Sequence, residues 1–169
     1  KHLSLSISTT IANALLVCSK LDYCNSLLYG ISAHDMGRLQ RVQNCLSRVV
    51  TKSPRFTSSL PLLHTLHWLP IYYRIKFKLA LLTYKTLNFK EPIYLHNLLT
   101  YCSSSKNLRS ESRQLLVLPR SRSKLGSRAF SVSAPSLWNS LPIEIRLSNS
   151  VYSFRKKLKT YFFPLAFPS

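Results

Sequence analysis

LPLLHTLHWLPIYYRIKFKLALLTYKTLNF, residues 60–89, is the stretch that decides how this chain is read. Trp68 supplies a large aromatic anchor, and Pro70 follows where a fixed φ and a missing N–H suit the first turn of a helix. From there Ile71, Ile75, Leu79 and Leu82 recur at helical spacing, and Phe77, Leu81 and Tyr84 give a second apolar stripe beside them. A helix with two apolar stripes packs on two sides, so this one is expected at the centre. Arg74, Lys78 and Lys85 fall on one narrow remaining stripe, because offsets of four and eleven residues nearly return to the same angle. That edge is expected to be wet and basic.

Working outward toward the N-terminus, residues 35–51 read as an amphipathic helix. Leu39, Val42, Leu46 and Val49 step by three and four, and Asp35 is a candidate N-cap. Arg38, Arg41 and Arg48 share the opposite face, and no acidic residue occurs between Met36 and Lys90. The row is either a solvated face or one answered by an external anion. Residues 9–29 carry Ile11, Leu15, Cys18, Leu21, Leu27 and Leu28 before Gly30, which predicts one or two short helices with Tyr23 and Cys24 in the core. Lys52 to Ser59, with Pro54 and a Ser/Thr cluster, is a connector. His64 and His67 stand three apart without a second ligand pair, so a zinc site is not expected.

Toward the C-terminus, Pro92 opens a shorter helix bearing Leu95, Leu98 and Leu99. Residues 101–128 change character, with Lys106, Arg109, Arg113, Arg120, Arg122, Lys124 and Arg128 among serines and Glu111 as the only acid. Interleaved Ser and Arg suits a loop that lays hydroxyls, backbone N–H groups and guanidinium forks against phosphates. Leu115–Leu118 and Ala129–Val132 make a candidate short β-hairpin near 115–132. Pro135 is a candidate opening for a helix that carries Trp138 as a core plug. The last helix is expected over about 150–162, with Val151, Phe154, Leu158 and Tyr161 inside and Arg155, Lys156, Lys157 and Lys159 outside. Phe163 to Ser169 should fray or dock as an extended tail.

Composition sets the class. The chain has 169 residues, 46% of them hydrophobic and only 17% charged, which argues for a folded core, and three glycines lean the reading toward helices. The expectation is a mainly α domain of about five to seven helices. It is organised as a helical segment over 1–52, a C-terminal helical module over 60–163 with the basic loop 101–128, and a tail at 164–169. Twenty-four Lys and Arg against five Asp and Glu give a formal charge of +19, the footprint of a polyanionic partner. The first residues, KHLSLSISTT, lack the continuous apolar core of a signal peptide, and no run reaches the roughly 18 uncharged apolar residues of a membrane span, so no membrane partner is expected. Cys18, Cys24, Cys45 and Cys102 follow no metal or disulfide spacing, and free thiols fit an intracellular compartment. Lys1 stands where a Met would, and the chain is expected to be a fragment of a longer protein.

Several blocks together carry a family resemblance. LHWLPIYYRIKFKLALLTYKTLN with Pro92-Ile93-Tyr94-Leu95, LDYCNSLLYG at 21–30, LQRVQN at 39–44, RAFS at 128–131, Ala134-Pro135 and LWNSLP at 137–142 occur in order over nearly the whole chain. They resemble the region downstream of the polymerase core in reverse transcriptases of non-LTR, LINE-type retrotransposons. Where that pattern has an Asp before Arg-Ala-Phe-Ser, this chain has Ser127. The resemblance implies a thumb and post-polymerase extension that holds template RNA or primer DNA during target-primed reverse transcription. It also implies an upstream polymerase domain of the same polyprotein as partner, and a location in nucleus and cytoplasm. Arg38, Arg41 and Arg48 would then lie in or beside the thumb.

Catalysis is not expected of this segment. Two-metal nucleotidyl transfer needs clustered carboxylates, whereas Asp22, Asp35, Glu91, Glu111 and Glu144 are scattered, and the Tyr/Phe-x-Asp-Asp signature of the family's palm is missing. No phosphate-cradling glycine loop or Gly-x-Ser-x-Gly elbow occurs. No cofactor is expected here, Mg²⁺ belonging to the parent polymerase. The candidate nucleic-acid contacts are Arg38, Arg41, Arg48, Arg74, Lys78, Lys85, Arg109, Arg113, Arg120, Arg122, Lys124, Arg128, Arg155, Lys156 and Lys157. Two alternatives stand beside this reading: a protein-interaction domain packing on the polymerase core or a second subunit, and a relic copy without function.

Overall fold

The computed structural model describes residues 7, 10, 11, 20–102 and 114–168. Among these the protein is mainly helical, with seven α-helices and no strand beyond one isolated bridge. They are α1 (Ala33–Thr51), α2 (Ser59–Thr65), α3 (Ile71–Phe89), α4 (Ile93–His96), α5 (Phe130–Ser140), α6 (Ile143–Arg146) and α7 (Val151–Ala166), with 3-10 turns at Asn25–Leu28 and Gly126–Arg128. The chain sorts into two compact units, Lys1–Ile75 with Tyr161–Ser169 and Lys76–Thr160. Of the helix expected over residues 9–29, Leu15 and Cys18 lie outside the described residues.

In the first unit, α1 is capped by Ser32 and not by Asp35. The Ser32 hydroxyl accepts from the Asp35 N–H at 3.1 Å, which puts Asp35 three residues into the capping motif where its charge suits the helix dipole. The buried face of α1 also differs from the Leu39–Val42–Leu46–Val49 stripe. Gln43, Ser47 and Val50 are buried, while Val42 and Val49 are 56% and 73% exposed. Polar pairing sets that rotation. Gln43 donates to the Leu69 carbonyl at 2.9 Å and the Gln40 side-chain oxygen accepts from Ile71 N–H at 2.9 Å, so α1 satisfies the backbone at the entry to α3. Val50 then joins Leu63, Leu66 and Trp68 in a core edged by Leu46 and Phe167.

Two further expectations in this unit change. Tyr23 and Cys24 are exposed; Cys24 takes a left-handed φ of 52° before the 3-10 turn, and Asn25 is the residue that turns inward. The C-terminal segment is not an extended tail, because α7 continues through Pro164 to Ala166. Its last turn is held by ring contacts of Phe163 and Phe167 with His64, at 5.1 and 5.2 Å between centroids. Tyr73 adds its hydroxyl, donated to the Leu165 carbonyl at 2.8 Å, where a helix end leaves acceptors open.

In the second unit, α3 buries Leu79 and Tyr84 of the expected stripes together with Ala80, Thr83 and Thr86, while Phe77, Leu81 and Leu82 are only partly buried. Tyr84 stacks on Phe154 of α7 with centroids 4.2 Å apart, and Trp138 of α5 lies 6.1 Å from the same ring. Trp138 is the core plug expected of it. Phe154 and Leu158 face inward, and the Ser150 hydroxyl caps α7 by accepting from Ser153 N–H at 3.1 Å.

The candidate hairpin over 115–132 does not form. The Asn139 side-chain amide takes both backbone groups of Leu116, accepting from its N–H at 2.9 Å and donating to its carbonyl at 2.8 Å, and the Trp138 indole donates to the Gln114 carbonyl at 2.9 Å. Residues 114–116 therefore pair with side chains of α5, and the one bridge joins Leu116 to Tyr101. Ala129–Val132 enters α5 instead of a strand. Since α5 begins at Phe130, Pro135 lies inside the helix and not at its first turn. The hydrogen bond its missing N–H costs is set against burial of Ala134, Pro135, Leu137 and Trp138 on the same helix.

Candidate nucleic-acid interface

The charge is distributed unequally between the two units. Residues 76–160 hold sixteen Lys and Arg against three Glu, whereas the remainder holds eight against Asp22 and Asp35.

In the first unit most candidate cations already have partners. Arg74 lies in a two-pronged ion pair with Asp22, its Nε 2.8 Å from one carboxylate oxygen and its terminal nitrogen on the other, and only 14% of its side chain is exposed. Asp22 is 52 residues away in sequence, so the basic stripe read along α3 loses its first member to a distant acid. Arg48 donates its Nε to the Thr57 carbonyl at 3.0 Å and so pins the connector. Arg38 sits 3.8 Å from Asp35. The Ser32 hydroxyl, which donates to that carboxylate at 2.8 Å, holds the Asp35 carboxyl below its usual range against some desolvation, with His34 and Arg38 adding to the effect. Arg41 remains exposed, on the rim of a shallow groove lined by Leu28, Ile31, Leu39 and Val42.

In the second unit five of the candidate cations are open. Lys78 and Lys85 are exposed along α3, and Arg120, Arg122 and Lys124 are exposed on the loop before the Gly126–Arg128 turn. None of these five lies in an ion pair among the described residues. Arg128 is half-buried at the end of the turn. Arg155, Lys156 and Lys157 are exposed on α7, with the Lys157 ammonium donating to the Glu144 carbonyl at 2.8 Å. Arg109 and Arg113 lie outside the described residues.

The loop's serines serve its own shape. Ser121 donates to the Ser123 carbonyl at 3.0 Å, Ser127 donates to the Lys124 carbonyl at 2.8 Å, and the Ser123 hydroxyl accepts from Gly126 N–H at 2.9 Å. Two of the hydroxyl protons expected to face phosphates are thus committed to the turn. Gly126 is where the turn closes most tightly, since an added Cβ would stand 2.5 Å from Ser121 Oγ. What the loop presents outward is a set of cationic side chains on a backbone stiffened by local hydrogen bonds, an arrangement suited to phosphate oxygens.

Among the described residues no group of three His, Cys, Asp or Glu could hold a metal ion. His64 and His67 instead pack their rings against Phe163, at 5.1 and 5.4 Å. Cys24, Cys45 and Cys102 are free and exposed. Among the described residues no helix is long and apolar enough to cross a membrane. Comparison of the chain with protein-family models, curated proteins and solved structures gives no match.

Proposed function

We propose that this chain is a non-catalytic nucleic-acid-binding portion of a non-LTR retrotransposon reverse transcriptase, holding template RNA or primer DNA for a polymerase domain encoded upstream. The observation that carries this reading is the exposure of Lys78, Lys85, Arg120, Arg122 and Lys124, which lie in no ion pair among the described residues, the last three on a stiffened loop. A cluster of like charges with no acid to answer it is stabilised by a polyanion. The ordered blocks from LDYCNSLLYG to LWNSLP supply the choice of parent protein and, through it, a workplace in nucleus and cytoplasm. No carboxylate pair is at hand for two-metal chemistry, so primer extension belongs to the parent, and the isolated chain should incorporate no nucleotide with Mg²⁺ present.

The test is equilibrium binding of labelled RNA, single-stranded DNA and RNA–DNA heteroduplex over a range of salt. The proposal expects log affinity to fall linearly with log salt, by about 0.7–0.9 for each phosphate contact. Binding that ignores salt would overturn it.

A second reading has one observation of its own. The face of α1 bearing Val42 and Val49 is exposed beside the groove of Leu28, Ile31 and Leu39, and an uncovered apolar face suits a protein partner such as the polymerase core. Association insensitive to salt and broken by Val42→Asp would favour that reading.

A further inference from the structure

The outward face of α7 combines charge with an aromatic ring. Ser150 caps the helix, and Phe154 and Leu158 are fully buried, so the opposite face is fixed by the 3.6-residue repeat. Tyr152, Arg155, Lys156 and Lys159 stand at spacings of three, one and three residues, within an arc of about 100° centred away from that buried pair. All four are exposed, Tyr152 by 77%. Lys157 falls outside this arc and reaches the Glu144 carbonyl, so Lys159 is the cation that completes the stripe. Among the described residues no acid pairs with Arg155, Lys156 or Lys159, and no other ring meets that of Tyr152.

Tyr152 presents its ring to solvent and takes no part in the buried face formed by Phe154 and Leu158. Three unpaired cations on the same face select an anion, and a π-face among them suits a flat ring from that anion. We infer that this face binds unpaired nucleotides of a single-stranded nucleic acid, with Tyr152 stacking on a base while Arg155, Lys156 and Lys159 take the adjoining phosphates. From Tyr152 to Lys159 the helix rises by about 10 Å, the length of roughly three stacked nucleotides. Bases within a duplex already stack on one another, so the tyrosine contributes only where the strand is open. The inference rests on the proposed function and narrows it: the loop at 120–124 grips any phosphate backbone, whereas this helix senses whether bases are free.

The test uses the full chain with oligodeoxyadenylate, an abasic strand of the same length, duplex DNA, poly-glutamate and phosphatidylserine vesicles. Wild type should bind the base-bearing strand about tenfold more tightly than the abasic one, within the range that single-base stacking supplies. Tyr152→Ala should abolish that preference while leaving abasic-strand and duplex affinity and the melting temperature unchanged, and Tyr152→Phe should retain it. Lys156→Gln with Lys159→Gln should weaken both single strands equally and reduce the salt slope. Equal binding of the two strands by wild type, or a Tyr152→Ala loss seen equally on duplex, overturns the inference while leaving the proposed function standing. So does a loss confined to poly-glutamate or to vesicles, which would assign the face to an acidic protein or a membrane. Absence of binding to every nucleic acid would instead overturn the proposed function.

Discussion

Gln43 donates its side-chain amide to the backbone carbonyl of Leu69 at 2.9 Å, across 26 residues of sequence and from a position with no exposure to solvent. Its own side-chain oxygen accepts from Gln40 at 3.0 Å, and Gln40 in turn receives the Ile71 N–H. This short chain of amides couples α1 to the start of α3. Gln43→Leu keeps the volume and deletes the donor, leaving a buried carbonyl unsatisfied, and should cost about 1–3 kcal/mol. Chemical denaturation checks it; a neutral result would mean that the carbonyl finds water.

Arg74 separates charge that stabilises from charge that binds. Its guanidinium is largely enclosed and forked onto Asp22, so Asp22→Ala strands a cation and Arg74→Lys loses one prong. Each should lower stability by roughly 1–3 kcal/mol, the worth of hydrogen bonds to a charged group. Neither should change the salt slope of nucleic-acid binding, because this guanidinium is largely enclosed and already forked onto Asp22. A drop in slope with Arg74→Lys would return the residue to the interface.

The two tryptophans are buried alike and bonded differently. Trp68 is 2% exposed with no acceptor for its indole N–H among the described residues, while Trp138 donates to the Gln114 carbonyl. Replacement by Ala should cost about 3–5 kcal/mol at either site, through loss of a large buried side chain. Replacement by Phe should discriminate between them, with Trp138→Phe the more costly by about 1 kcal/mol for its lost hydrogen bond. Paired melting curves of the four variants decide it.

Tyr84 predicts a pH effect. Burial raises its pKa above the ordinary tyrosine value of 10.0, and its hydroxyl proton is donated to the Ser148 carbonyl at 2.7 Å. A folded-state pKa above the unfolded one means that the native state holds the proton more firmly. The stabilisation is therefore fully present below pH of about 10 and lost as pH rises through the raised value. Stability of wild type relative to Tyr84→Phe should be constant near neutrality and decline in alkali. A difference that grows with pH would contradict the burial.

How much of this could be read from the sequence depended on which force governed each element. The stripe of α3 through Ile71, Ile75 and Leu79 is legible because those residues obey periodicity and burial alone. α1 was legible as a helix but misread in its facing, because Gln43 and Ser47 are buried through hydrogen bonds that hydrophobic pattern does not register. Pro135 reads as a helix start and the segment from Phe163 as a tail, yet burial around Pro135 and ring contacts of Phe163 and Phe167 carry the helices past both expectations. The hairpin expected near 115–132 does not form because Asn139 satisfies Leu116 from a helix, a pairing that local alternation cannot announce. In the candidate interface, exposure of Arg120, Arg122 and Lys124 followed from their turn-forming neighbours, whereas the loss of Arg74 to Asp22 required the tertiary fold.

The most direct test of the account replaces Arg120, Arg122 and Lys124 together by Gln and measures the slope of log affinity against log salt for RNA, single-stranded DNA and heteroduplex. These side chains are exposed and lie in no ion pair, so the melting temperature should stay nearly unchanged, surface substitutions of this kind moving stability by under about half a kcal/mol. If all three meet phosphates, the slope should shrink by roughly 2–3 on every substrate. An unaltered slope with the fold intact would contradict the claim that this loop binds nucleic acid.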